Sequence, residues 1–268
     1  MMVFERKTVS DPVHWEGRGL HSAVPCQVTL HPGERGIRFL HAGHEIEAIP
    51  ENVTSTTRCT CLAHVATIEH LMSALAAAGI TDGVVECTGP ELPGLDGSAE
   101  PYTQKLNATP TASLGNGELP TLFTRVYDKG PEHSVAIGKG EGWWRYTFIT
   151  EPRWPSIQDF ESHLTPETYA TDIAPARTFC FEEELAAIQE AGLGQGLDEQ
   201  SALVLGISGY VNPQRFPDEP ARHKLLDLIG DLYLSGVPPY LLNVVAERSG
   251  HTANVAAAAK LRDALRQG

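Results

Sequence analysis

The chain has 268 residues, 34 acidic against 20 basic, for a formal net charge of −14. That length suits one large domain or two ordinary ones with ample core, and its ordinary apolar and charged fractions exclude wholesale disorder. The acidic balance without any Lys/Arg cluster excludes an ordinary nucleic-acid binder, and no run reaches the roughly 20 apolar residues of a membrane-spanning helix.

The N-terminal "MMVFERKTVSDPVHWEG" lacks the apolar segment of a secretory signal, so a cytoplasmic protein with no obligatory protein partner is expected. The first third then alternates strand-like runs with turns, as in "PCQVTLHPGERGIRFLHAG" and "RCTCLAHVATIEH". Cys59 and Cys61 alternate there and should share a strand face. With Cys26, Cys87 and Cys180 they make an odd, scattered set, which argues against a disulfide framework or a thiolate zinc cage. A helix is predicted over Ile68–Ala78, stopped by Gly79, followed by a short strand in "ITDGVVECTG". "PELPGLDGSAEPY" carries turn chemistry and reads as a loop. The small, polar stretch 107–120, "NATPTASLGNGELP", is the best domain boundary, giving units of 1–108 and 118–268.

The second unit opens with strand-like "TLFTRVYD", "HSVAIGK" and "WWRYTFITE". A helix in "FEEELAAIQEAG" follows, its early glutamates suiting the helix dipole. A longer helix, "ARHKLLDLIGDLYLSG", ends at Gly236. Then come a strand in "YLLNVVAE", a turn at "SGH" and a final amphipathic helix, "ANVAAAAKLRDALRQ". Both halves thus run strands, a helix with a histidine near its start, a glycine and a strand. The pattern predicts an α+β fold of two similar layered domains, each a sheet with helices, and suggests an ancient duplication.

The long helix is apolar almost all round, yet His223, Asp227 and Asp231 form a stripe at four-residue spacing. The ordinary explanation is a satisfied core network or a polar edge facing water. The sharper one is a metal site, since unpaired carboxylates are costly to bury. His223 and Asp227 would then be ligands from consecutive turns, and a third ligand must come from elsewhere. His70, beside Glu69 at the start of another apolar helix, offers one, although an acid in a helix first turn is also what the dipole favours. His251, before the last helix, reads equally as a capping or surface residue. If His70, His223 and Asp227 share an ion, Glu69 stands where a general base is needed. His251 held by Asp231 stands where an acid for a leaving amine is needed. Those are parts for metal-assisted amide hydrolysis, without the H-E-x-x-H helix of zinc proteases.

Six stretches, in order, carry a resemblance: "GRGLHS", "TIEHLMSALAAAGI", "ELPGLDGSAEPY", "ARTFCF", "RFPDEPARHKLLDLIGDLYLSG" and "SGHTAN". Together they resemble the UDP-3-O-acyl-N-acetylglucosamine deacetylases, zinc enzymes of lipid A synthesis that act on a small-molecule sugar nucleotide. The resemblance implies helices sandwiched between two sheets with the site at the domain junction. It implies zinc, or Fe²⁺ in its place, on His70, His223 and Asp227, with Glu69 as general base and His251 as general acid oriented by Asp231. It further implies Thr178 at the oxyanion, and Lys224, near the diphosphate, together with Phe179 in substrate binding. His21, Asp96 and Ser98 fall in family motifs but read as structural. The chain departs from the family at "GLGQGLDEQSALVLG", at Arg58, in a shortened segment before His70 and over 105–170. These departures leave two alternatives: a zinc deacetylase of an N-acetyl sugar without a long acyl chain, or a non-catalytic ligand-binding relative.

Overall fold

The computed structural model describes residues 1–267. Strands β1 (Met2–Val9), β2 (Val13–Arg18), β3 (Pro25–His31), β4 (Ile37–His41), β5 (His44–Glu47), β6 (Val53–Ser55) and β7 (Cys61–Leu62) precede helix α1 (Glu69–Ala78). β8 (Gly83–Cys87), α2 (Glu100–Ala108) and β9 (Thr111–Leu119) complete the first half. The second half runs β10 (Val126–Lys129), β11 (Ser134–Lys139), β12 (Trp143–Ile149), β13 (Ile157–His163) and the single turn α3 (Pro166–Thr168). It continues through β14 (Phe179–Phe181), α4 (Leu185–Glu190), β15 (Leu203–Leu205), α5 (Glu219–Tyr233), β16 (Leu242–Glu247) and α6 (His251–Gln267).

Two five-stranded sheets carry the architecture, ordered β2-β3-β8-β4-β5 and β10-β11-β16-β12-β13. In each, the strand that follows the buried helix inserts at the centre, antiparallel to the second strand of its sheet in chain order and parallel to the third. The halves therefore share one topology, and the fold is two similar α+β units as the pattern predicted. β16 shows the cause of the layering: Leu242, Val244 and Ala246 are buried while Asn243, Val245 and Glu247 alternate outward. Such a strand needs a cover on one face only. The cover is helical. α1 and α5 are buried on nearly every side, and they pack against each other at the centre of the molecule.

The two helices cross at backbone contact. A Cβ on Gly230 of α5 would lie 2.1 Å from the carbonyl oxygen of Glu69, the first residue of α1. Glycine is what permits that approach. Gly79 closes α1 in the left-handed conformation, with φ at 69°, as the sequence predicted.

Several elements differ from expectation. Residues 107–120 hold the end of α2 and then β9, a strand that pairs antiparallel with β1, with Met2 opposite Leu119. Most of β9 is exposed, so it has no strong apolar alternation and its pairing rests on backbone hydrogen bonds. α2 begins where the sequence reads as loop, with Pro101 in its first turn, a position that suits a residue without an N–H. The edge strand β13, also largely exposed, carries no apolar alternation in the sequence for the same reason as β9. The glutamate-rich helix is shorter than predicted, a 3₁₀ turn at Glu182–Glu184 leading into α4. Only Cys61 of the cysteine pair lies in a strand, β7, but the two thiols do meet. Among the described residues no helix is long and apolar enough to cross a membrane.

Candidate metal centre

The α1–α5 crossing positions the polar stripe. Successive turns of α5 present His223, Asp227 and Asp231 along one side, and the start of α1 brings His70 and Glu69 over it. The rings of His70 and His223 stand edge to face, 5.1 Å between centroids. Asp227 Oδ1 lies 3.5 Å from Nε2 of His223 and 3.8 Å from Nε2 of His70. One ligand atom from each of the three falls within 4.8 Å of the others, and all three side chains are buried.

The chemistry of this trio fits a divalent cation. Asp227 Oδ1 is buried with no hydrogen-bond partner among the described residues, although the other oxygen of the same carboxylate accepts from Lys224 Nζ at 2.9 Å. A buried carboxylate oxygen left bare costs the desolvation of a charge, and a metal ion removes that cost. His223 Nδ1 pairs with the Ala176 carbonyl at 3.0 Å, so it carries the proton and leaves the Nε2 lone pair facing Asp227. Burial holds both imidazoles neutral: His70 is pushed down to about 3, helped by His223, and His223 is also lowered. Burial alone would raise the Asp227 carboxyl, but Lys224 and the neighbouring histidines hold it well below the usual carboxylate range. Two neutral imidazoles and one carboxylate are a donor set suited to zinc with one position left open.

Two titratable groups, Glu69 and His251, flank the trio. Burial raises the Glu69 carboxyl well above its ordinary value, against the charge of His251, and the Thr60 amide donates to its Oε2 at 3.0 Å. His251 opens α6. Burial works to lower its imidazole, but the carboxylates of Asp231 and Asp227 outweigh that and push it up to about 10. Its Nδ1 donates to Asp231 Oδ2 at 3.0 Å, which places an imidazolium beside the site. Asp231 also accepts from the Thr60 hydroxyl at 2.6 Å and from Asn254 Nδ2 at 3.0 Å. Sequence reasoning missed both donors. Asn254 could have been found, since it lies three residues after His251 and so on the same face of α6. Thr60 gives no such signal. It is fully buried and ties Glu69 to Asp231 across the two halves only because the chain folds back there.

A cavity of about 690 Å³ opens on the trio. Glu69, His251, Thr178, Phe179 and Lys224 line it, and so do apolar residues including Leu185, Ile188, Leu193, Leu197, Val204 and Val211. Thr178 and Phe179 are held there by their neighbour Arg177. Its buried guanidinium bonds Glu219 Oε1 at 2.9 Å and the carbonyls of Gln200 and Pro213. The Phe179 ring meets Phe148 and His223 edge-on, and the Lys224 ammonium lies 5.5 Å from its centroid. Asp96 does organise a turn, accepting from the Ser98 amide and hydroxyl. His21, expected to be structural, lines the cavity, and both its ring nitrogens are buried with no hydrogen-bond partner among the described residues.

A family model for UDP-3-O-acyl N-acetylglycosamine deacetylase matches residues 6–263. The chain belongs to that family. The UDP-3-O-acyl-N-acetylglucosamine deacetylase of Thermosynechococcus vestitus is 39% identical, over 92% of this chain and 90% of its own length. The enzyme of the same name from Anaeromyxobacter dehalogenans is 36% identical, over 97% of this chain and 88% of its own. That of Chlamydia felis is 33% identical, over 99% of both.

Proposed function

We propose that this chain hydrolyses the N-acetyl amide of UDP-3-O-acyl-N-acetylglucosamine, a step of lipid A synthesis, releasing acetate and the free amine. The reaction would take place in the cytoplasm, at the junction of units 1–108 and 118–268. The single observation that carries the reading is the unpartnered Asp227 Oδ1 facing two neutral imidazoles, with a carboxylate and an imidazolium on either side.

His70, His223 and Asp227 would hold Zn²⁺, with Fe²⁺ the other ion suited to this donor set. When bound, the ion supplies Lewis acidity that polarises the amide carbonyl and makes a water acidic enough to react near neutral pH. The rest falls to the protein. Glu69 takes the proton of the attacking water, and the added positive charge opposes the burial that raises its carboxyl. His251, kept charged by Asp231, gives its proton to the leaving nitrogen. The Thr178 hydroxyl, which lines the cavity, donates to the oxygen that gains charge. Lys224 supplies a local positive charge for the diphosphate in an otherwise acidic protein, and Phe179 packs beside it.

The apolar lining of the cavity favours a substrate with a long acyl chain over an unacylated sugar nucleotide. Against this, Arg58 and Glu184 also line it, 3.6 Å apart, and they are the feature that keeps the unacylated reading alive. Retention of three ligands, a base and an acid together speaks against a non-catalytic relative. Acetate release from acylated and unacylated UDP-N-acetylglucosamine decides the matter. The acylated substrate should be hydrolysed with a far higher kcat/KM. Equal rates would assign the unacylated substrate, and no release of acetate by metal-loaded protein would end the deacetylase reading.

A further inference from the structure

The cysteines of "CTC" lie against the catalytic groups, and the reaction does not use them. Cys59 Sγ and Cys61 Sγ are 3.7 Å apart. Cys59 is buried and Cys61 is partly exposed. Thr60, between them, gives its amide hydrogen to Glu69 and its hydroxyl hydrogen to Asp231. We propose that Cys59 and Cys61 form a redox-modifiable pair, which a peroxide closes to a disulfide that displaces Thr60 and slows turnover.

The two thiols are unequal in the way such a pair requires. The hydrogen bond from Cys59 lowers the Cys61 thiol, while that same contact and burial push Cys59 up to about 12. Cys61 is thus the accessible nucleophile and Cys59 the protonated resolving partner. The Cys61 thiolate attacks one peroxide oxygen and the O–O bond breaks. Cys61 becomes a sulfenic acid, and the other oxygen leaves as water or an alcohol. The Cys59 sulfur then attacks the sulfenic sulfur and the S–O bond breaks. The hydroxyl leaves as water with the Cys59 proton. Two thiols have lost two electrons to one peroxide, with one disulfide formed.

Closure requires the sulfurs to approach from 3.7 Å to about 2.05 Å. The ring made by that bond contains the backbone of Thr60, so the residue that holds both Glu69 and Asp231 must shift with it. Base and acid are both affected by one bond. The loss of turnover rests on the deacetylase reading; the disulfide does not.

The test treats metal-loaded protein with hydrogen peroxide and reads two things. Mass analysis of the peptide following Arg58 should show loss of two hydrogens localised between Cys59 and Cys61. Turnover should fall at least about tenfold, as positioned proton transfer contributes 10²–10⁴-fold, and dithiothreitol should restore both. Cys61→Ala and Cys59→Ala should each fold with unchanged Tm and resist reversible inactivation. Absence of the disulfide would overturn the proposal. So would a disulfide without change in turnover, or equal inactivation of Cys61→Ala. Reduced protein that forms the disulfide but never deacetylates would count instead against the proposed function.

Discussion

At the scale of residues, the site is a set of charges that burial would penalise singly and that become tolerable together. Asp227 is the pivot: one oxygen is satisfied by Lys224 and the other by nothing among the described residues. Asp227→Ala should therefore lose the metal, as metal analysis of the purified variant would reveal. Glu69→Ala should keep the metal and lose turnover by about 10²–10⁴-fold, the usual contribution of a positioned proton acceptor. Near-normal kcat in that variant would remove Glu69 from the mechanism. The residues that orient these groups were harder to read than the groups themselves. A histidine beside a glutamate on an apolar helix is conspicuous. A threonine between two cysteines is not, because what matters is which carboxylates it reaches 9 and 171 positions away.

At the scale of elements, the α1–α5 crossing decides whether His70, His223 and Asp227 converge. Helix propensity predicts that Gly230→Ala stabilises α5 by about 1 kcal/mol. The crossing predicts the opposite sign, because the new methyl would sit 2.1 Å from the Glu69 carbonyl. Overpacking of this kind costs about 1–3 kcal/mol, and here it also pushes His70 away from His223. The expected outcome is a lower Tm together with weaker metal binding. A Tm raised by the substitution would mean that the helices are not held in backbone contact. The crossing helices were legible because each is strongly apolar, with 8 of the 10 residues of α1 buried and α5 buried along almost its whole length. α2, β9 and β13 were not, since short or exposed elements carry little apolar periodicity and owe their form to neighbours.

At the scale of the whole molecule, the buried histidines make the stability of the metal-free protein depend on pH from both sides. An unfolded histidine titrates near 6.5. His70, lowered to about 3, and His223, also lowered, must stay neutral in the fold, so the unfolded chain binds more protons below pH 6.5. Stability is therefore lost as pH falls from 6.5 toward 3. His251, raised to about 10, works in the other direction: its contribution is complete below pH 6.5 and is lost as pH rises toward 10. Thermal melts across pH should show both flanks, and His251→Gln should flatten the alkaline one. An alkaline flank unchanged by that substitution would refute the Asp231–His251 pairing as its source. Added zinc should raise Tm near pH 7, and less so toward acid, where protons compete for the two imidazoles.

The amino-acid sequence by itself determined the α+β class and the twofold repeat of strands and a buried helix, and it singled out the candidate ligands and proton carriers. These follow from local periodicity and from side-chain types that are expensive to bury. The tertiary structure alone decided that residues 70 and 223 meet, that Asp227 keeps one oxygen bare among the described residues, and that Thr60 joins Glu69 to Asp231. It also decided that the apparent linker is a strand. Each of those is a contact between segments far apart in the chain, set by how two buried helices and two sheets pack. No local pattern encodes that.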